Sequence, residues 1–135
     1  MESIIGESQF QVYYEDTDFT GYVYHANYLR FFERAREDLF GVERIRQLFE
    51  QGCHLVVKSL QVEYHSPAKH ADRLVIKTRT EPKGFTQLTC WQEAYRKGDG
   101  SDEKIVSARV DMVAVNHQGR PRRLPELTSA SAAPV

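Results

Sequence analysis

The sequence predicts an α+β domain, one long amphipathic helix against an antiparallel sheet of about five strands. Three observations carry this. A period-two run near the N-terminus gives way, from Ala26, to a helical period. From residue 54 onward the chain reads as strand and turn alone. The connections between those later strands are short, which implies antiparallel neighbours.

The elements follow in order. Between Gln9 and Glu15, Phe10, Val12 and Tyr14 alternate with Gln11, Tyr13 and Glu15, so a strand is expected to bury one face with Tyr14 on it. If that strand continues, Asp16 and Asp18 lie on the same side. Beyond the turn at Gly21, Tyr28, Phe32, Ala35 and Leu39 recur at helical spacing, and Arg30, Glu33, Arg34 and Glu37 cover the opposite side. Glu33 can pair with Arg36, and Arg34 with Glu37 or Asp38. Gly41 interrupts, and "VERIRQLFEQG" forms a second helical segment with Gly52 as its stop. Next, Val56, Lys58, Leu60, Val62 and Tyr64 alternate with Val57, Ser59, Gln61, Glu63 and His65 up to Pro67. "RLVIKTRT", closed by "EPKG", and "FTQLTCWQEAYRK", turned by "GDGS", are the next strands. "KIVSARVDMVAV" ends the series, with Val106, Ala108, Val110, Met112 and Ala114 on one face.

Composition fits this picture. The 135 residues are 41% hydrophobic and 27% charged, as in one ordinary globular domain, here expected over 1–127 with a loose tail over 128–135. A formal net charge of -1 gives no electrostatic case for binding nucleic acid or an anionic membrane. Cys53 and Cys90 sit in apolar surroundings with no metal-ligand spacing, which suits reduced core residues in a cytoplasmic protein. "MESIIGESQF" lacks the pattern of a secretory signal, and no apolar run is long enough for a transmembrane segment.

Chemistry concentrates between the first strand and the helix. A helix starting near His25 to Asn27 aims unpaired N–H groups and the positive end of its dipole at the residues before it. Asp18 stands a few residues upstream, across the Gly21 turn, which lets a backbone approach without a side chain in the way. A carboxylate beside such donors suits hydrolysis of a carbonyl compound, because the acid attacks or activates water while the donors hold the oxyanion. Two plainer readings stand beside this one. The segment could be only a turn and a helix cap, or Asp16 and Asp18 could share a divalent metal, although no nearby ligand completes a shell.

The stretch "YYEDTDFTGYVYHANYLRFFERARED" resembles the signature of the 4-hydroxybenzoyl-CoA thioesterase family of hotdog-fold proteins. It is most similar to the small bacterial acyl-CoA thioesterases associated with the Tol-Pal system. The match runs through Tyr14, Asp16, Asp18, Gly21, Tyr24, His25, Asn27, Tyr28 and Glu33 to Arg36, and the "VEYHSPA" strand end agrees with it. The resemblance implies a long central helix wrapped by a curved antiparallel sheet, in a homodimer or homotetramer with sites at the dimer interface. It implies an acyl-CoA thioesterase without a metal or other cofactor, in which coenzyme A belongs to the substrate. Asp18 falls on the catalytic acid, as nucleophile or general base, and the His25 N–H on the donor to the thioester oxygen. Tyr14 and His25 accompany the acid, while Gly21, Tyr24 and Glu33 fall among substrate-binding positions. Lys83 falls on a basic turn that meets nucleotide phosphate, and Arg122, with Arg120 and Arg123, is a second basic candidate. Two departures stand out: Phe19-Thr20 where the family usually has small residues, and Tyr22 where a small aliphatic is commoner. A hydratase on acyl thioesters, or an acyl-thioester-binding protein without activity, are the competing readings.

Overall fold

A computed structural model describes residues 3–127 of the chain, so the expected tail over 128–135 lies outside the described residues. The chain forms β1 (Ile5–Gln11), α1 (Tyr28–Phe40), α2 (Val42–Glu50), β2 (His54–Tyr64), β3 (Arg73–Lys83), β4 (Gln87–Arg96) and β5 (Glu103–Val115). Short 3-10 turns at Tyr14–Asp16 and His25–Asn27 fill the link before α1. The five strands make one antiparallel sheet in the order β1-β3-β4-β5-β2.

α1 buries Tyr28, Phe31, Phe32, Ala35 and Phe40 against that sheet, and Leu39 packs on the same core. Gly41 then adopts φ 88°, a left-handed conformation that only glycine enters cheaply, and so separates the two helices. The expected face of β5 is buried throughout, from Val106 to Ala114. Cys53 and Cys90 are buried and free, and burial pushes the Cys90 thiol up to about 12. Of the polar side chains buried here, Gln92 is the one that joins helix to sheet. Gln92 is wholly buried; its amide donates to the Phe32 carbonyl and the Thr78 hydroxyl, each at 3.0 Å, and accepts from Arg36 at 2.9 Å. Helix and sheet are thereby tied by hydrogen bonds as well as by packing.

Three expectations need correction. The first strand ends at Gln11, and Tyr14 stands 79% exposed on a 3-10 turn, not on the buried face with Phe10 and Val12. The cause is Asp16, whose carboxylate accepts the Tyr13 N–H at 2.8 Å and draws the chain out of the sheet. Asp16 is consequently buried while Asp18 is exposed, so the two acids do not share a side. Successive strands pair as expected from β3 to β5, but β2 and β3 lie on opposite sides of the pair β4–β5. Their connector, residues 65–72, is too long for a hairpin and crosses the end of the sheet. There the Ala68 carbonyl accepts the Val23 N–H at 2.8 Å, and the Ala68 N–H donates to the Tyr28 hydroxyl at 3.1 Å.

The third correction concerns β2. Its pairing with β5 shifts between Val57 and Ser59, leaving Lys58 as the extra residue of a bulge. Leu55 and Val57 therefore join Leu60, Val62 and Tyr64 opposite the buried residues of β5. Simple alternation had placed Lys58 among them and Val57 on the other face. The bulge removes a charge from the helix-facing side and leaves it apolar from end to end.

Candidate functional site

The link between β1 and α1 is built from the inside outward. Asp16 is its anchor: besides the Tyr13 N–H, its carboxylate accepts the Asn27 amide at 2.9 Å, and its carbonyl accepts the Tyr24 N–H at 2.9 Å. One buried acid thus joins the exit of β1 to the entrance of α1. Between these ends the chain folds back on itself as a small hairpin. Asp18 N–H donates to the Tyr22 carbonyl and Gly21 N–H to the Asp18 carbonyl, with bridges at Thr17–Val23 and Tyr22–Lys69. Gly21 closes the turn at φ 87°. Space around it is open, so the residue is required by its backbone angle and not by a close neighbour within the protomer.

Asp18 occupies the tip. Its Oδ1 accepts both the Thr20 N–H at 2.8 Å and the Thr20 hydroxyl at 2.6 Å. Among the described residues, Oδ2 accepts nothing. The Thr20 hydroxyl first, then its N–H, and to a smaller degree charge on His25, hold the carboxyl below its ordinary value. The result is an ionised carboxylate, fixed by one oxygen and free at the other.

His25 opens the 3-10 turn that runs directly into α1, so α1 proper begins at Tyr28, slightly later than expected. Val23, Tyr24 and Asn27 all donate backbone hydrogen bonds, whereas the His25 N–H meets no acceptor among the described residues. The His25 ring lies 4.6 Å from the Tyr24 ring, and its carbonyl accepts the Tyr64 hydroxyl at 2.8 Å. A cleft of about 340 Å³ beside it is lined by Val23, His25, Tyr28, Tyr64 and His65.

The structure groups the other expected residues differently. Tyr14 sets its ring edge-on to His70 at 6.1 Å. Glu33 is exposed on α1, 4.0 Å from Arg36, at the rim of an apolar groove of about 560 Å³. Lys83 ends β3 at the opposite end from the Asp18 hairpin, roughly 33 Å away by strand rise. Arg122 lies at that same far end, where it donates to the Gln51 carbonyl at 3.4 Å. Arg122 and Arg123 line a cavity of about 450 Å³ with Phe85, over which Arg123 stacks at 5.3 Å. Within one protomer, then, Asp18, Gly21, Tyr24 and His25 come together, and the basic candidates do not join them.

Sequence reasoning missed the supports: Asp16 as the internal anchor, Thr20 as the clamp on Asp18, and Tyr64 as the brace on the His25 carbonyl. Thr20 carried a readable signal, because an aspartate commonly bonds the backbone two residues on. Tyr64 carried none, since its partner is 39 positions away.

A helix against an antiparallel sheet in this strand order, with an oriented carboxylate before the helix, defines a protein of the hotdog class. Residues 12–133 match the family model described as the thioesterase-like superfamily, and the chain belongs to that family. It is 36% identical over 119 residues to the acyl-CoA thioester hydrolase YbgC of Escherichia coli O6:H1, covering 86% of this chain and 87% of that one. It is similar in structure to a probable thioesterase from Bartonella henselae, with a TM-score of 0.79 and 32% identity over 90% of this chain and 99% of that one. The 4-hydroxybenzoyl CoA thioesterase from Pseudomonas sp. strain CBS-3 superposes with a TM-score of 0.80 over 90% of this chain and 94% of its own, and at 20% identity it speaks to the fold alone.

Proposed function

We propose that the chain hydrolyses acyl-CoA thioesters to a carboxylic acid and free coenzyme A, with Asp18 as the acting carboxylate. The observation that carries this is the anchored Asp18, one oxygen free, on the hairpin that leads into the unsatisfied N–H of His25. The thioester carbonyl oxygen rests on that N–H, where a single aimed donor is worth about 2.7–4 kcal/mol in the transition state. Asp18 Oδ2 then either attacks the carbonyl carbon or takes a proton from the water that does. The C–S bond breaks and the thiolate leaves with a proton, for which the His25 ring and Tyr14 are the candidate sources; where Asp18 itself has attacked, water then opens the acyl–Asp18 anhydride, releasing the carboxylic acid and restoring the carboxylate. Gly21 and Tyr24 flank the reacting group. No metal or redox step enters this scheme.

The assembly we propose follows from β2. Among the described residues its outer edge has no strand beside it, and Val57, Leu60 and Tyr64 stay 40%, 41% and 50% exposed on the helix-facing side. Such an edge invites a second copy of itself. Pairing about a two-fold axis is antiparallel, so the Tyr64 end of one β2 lies beside the His54 end of the other. The Asp18 hairpin of one protomer thereby meets the far end of its partner. That is the end carrying Arg122, which together with Lys83 is our candidate for the coenzyme A phosphates. Among the described residues, no helix is long and apolar enough to cross a membrane. Two buried free thiols fit our placement in the cytoplasm.

The test is thiol release from a panel of acyl-CoAs, read with a disulfide dye. Release from at least one substrate supports the assignment; saturable binding of every acyl-CoA without thiol release overturns it. A single turnover in ¹⁸O-water then tests the nucleophile role, since label in the Asp18 carboxyl requires an acyl–Asp18 anhydride opened at the Asp18 carbonyl, which a general base never forms.

A further inference from the structure

We infer that Tyr64 is a positioning residue for the reaction, holding from the sheet the main-chain donor at His25 on which the thioester oxygen rests. This deepens the thioesterase reading above and rests on it. The donor belongs to a 3-10 turn of three residues, His25–Asn27, and so short a turn does little to fix its own orientation. A donor has its full effect only when it already points at the place where the oxyanion forms. What aims the His25 N–H must therefore lie largely outside the turn.

Two planar peptide units meet at the His25 Cα, and each is held by its carbonyl. The unit before it contains the donor, and its Tyr24 carbonyl accepts the Asn27 N–H at 2.8 Å, a bond local to the turn. The unit after it presents the His25 carbonyl to the Tyr64 hydroxyl, which donates at 2.8 Å. Only the φ and ψ of His25 separate the two units, so anchoring the second restricts the first. Tyr64 is itself firmly seated. It ends β2 opposite Val106 of β5, and the next residue, His65, donates its N–H to the Ile105 carbonyl at 2.7 Å. Its ring packs 5.9 Å from that of the buried Tyr28. Partial burial raises the phenol above its ordinary value, so the hydroxyl remains a donor at neutral pH. Two other routes to the site compete with the main chain. The Tyr64 ring meets the His25 ring edge-on at 6.4 Å, and Tyr64 lines the cleft of about 340 Å³, where it is open to direct contact with substrate.

The experiment compares wild type, Tyr64→Phe, His25→Ala and the double variant by thiol release from the acyl-CoA that wild type hydrolyses fastest. Tyr64→Phe keeps the ring and removes only the hydroxyl. We expect kcat to fall about tenfold while KM stays within about twofold, because a misaimed donor weakens the transition state more than substrate binding. The melting temperature shifts by only about 2 °C. The acid limb set by Asp18 does not move, since the lost bond bears on the donor and not on the carboxylate. His25→Ala keeps the N–H, so the same factor appears when Tyr64→Phe is added to it. A factor that vanishes in that background puts the action in the His25 ring and overturns the main-chain assignment. A rise in KM that accounts for the loss makes Tyr64 a substrate contact and overturns it too. An unchanged kcat, or a melting temperature lowered far enough to explain the lost activity, likewise overturns it and leaves the thioesterase reading standing. Absence of thiol release by wild type from any acyl-CoA overturns both.

Discussion

At the scale of residues, the proposed chemistry depends on how Asp18 is held. Both hydrogen bonds from Thr20 favour the charged carboxyl, so its pKa is lowered and the ionised form persists to lower pH than for a free aspartate. Activity that needs the carboxylate is present above that folded value and is lost as pH falls through it. Thr20→Ala removes the hydroxyl, the largest cause of the lowering. The acid limb of kcat/KM against pH should therefore move upward, toward the ordinary carboxylate value of 3.8, while an unmoved limb would detach Thr20 from the site. The motif singled out Asp18 and His25 in the sequence, and the fold brings them to the two ends of one short link before α1. The separate fate of Asp16 was not legible there, because alternation holds only while the chain stays extended. A side chain that captures its own backbone three residues earlier ends that periodicity without a change in hydrophobic pattern.

At the scale of elements, the helix and the central strands were readable because their apolar periods are long and regular. Two features escaped. The bulge in β2 converts one alternation into another, and nothing local in "VVKSLQV" marks which residue is extra. Gln92 read as an ordinary polar strand residue, yet it is the joint between α1 and the sheet. Gln92→Leu keeps the volume and strips Arg36 of its acceptor. Burial already pushes that guanidinium below its usual value, so the loss leaves a buried N–H without its acceptor and only the exposed Glu33, 4.0 Å away, beside the charge. We expect about 3 kcal/mol less stability in urea unfolding, with m unchanged. A variant as stable as the parent would show that packing alone holds the helix.

At the scale of the whole molecule, one protomer holds an oriented acid at one end and basic residues and an apolar groove at the other. The β-sheet separates them, and the proposed two-fold pairing of β2 edges would bring the acid of one copy toward the far end of the other. Strand order was the part of the fold that pattern could not give, because the 65–72 connector crosses the sheet instead of turning back. That order is what leaves β2 at an edge. Leu60→Arg places a charge in the apolar strip of β2 and should yield a monomer in size-exclusion chromatography, with at least a hundredfold loss of thiol release. A fully active monomer would remove the two-fold from the mechanism. The most direct test of the central claim is thiol release from acyl-CoA by Asp18→Asn, with melting temperature and assembly measured in parallel. With Asp18 as the acting carboxylate, kcat falls at least a thousandfold with both unchanged; a rate close to wild type would take Asp18 out of the reaction.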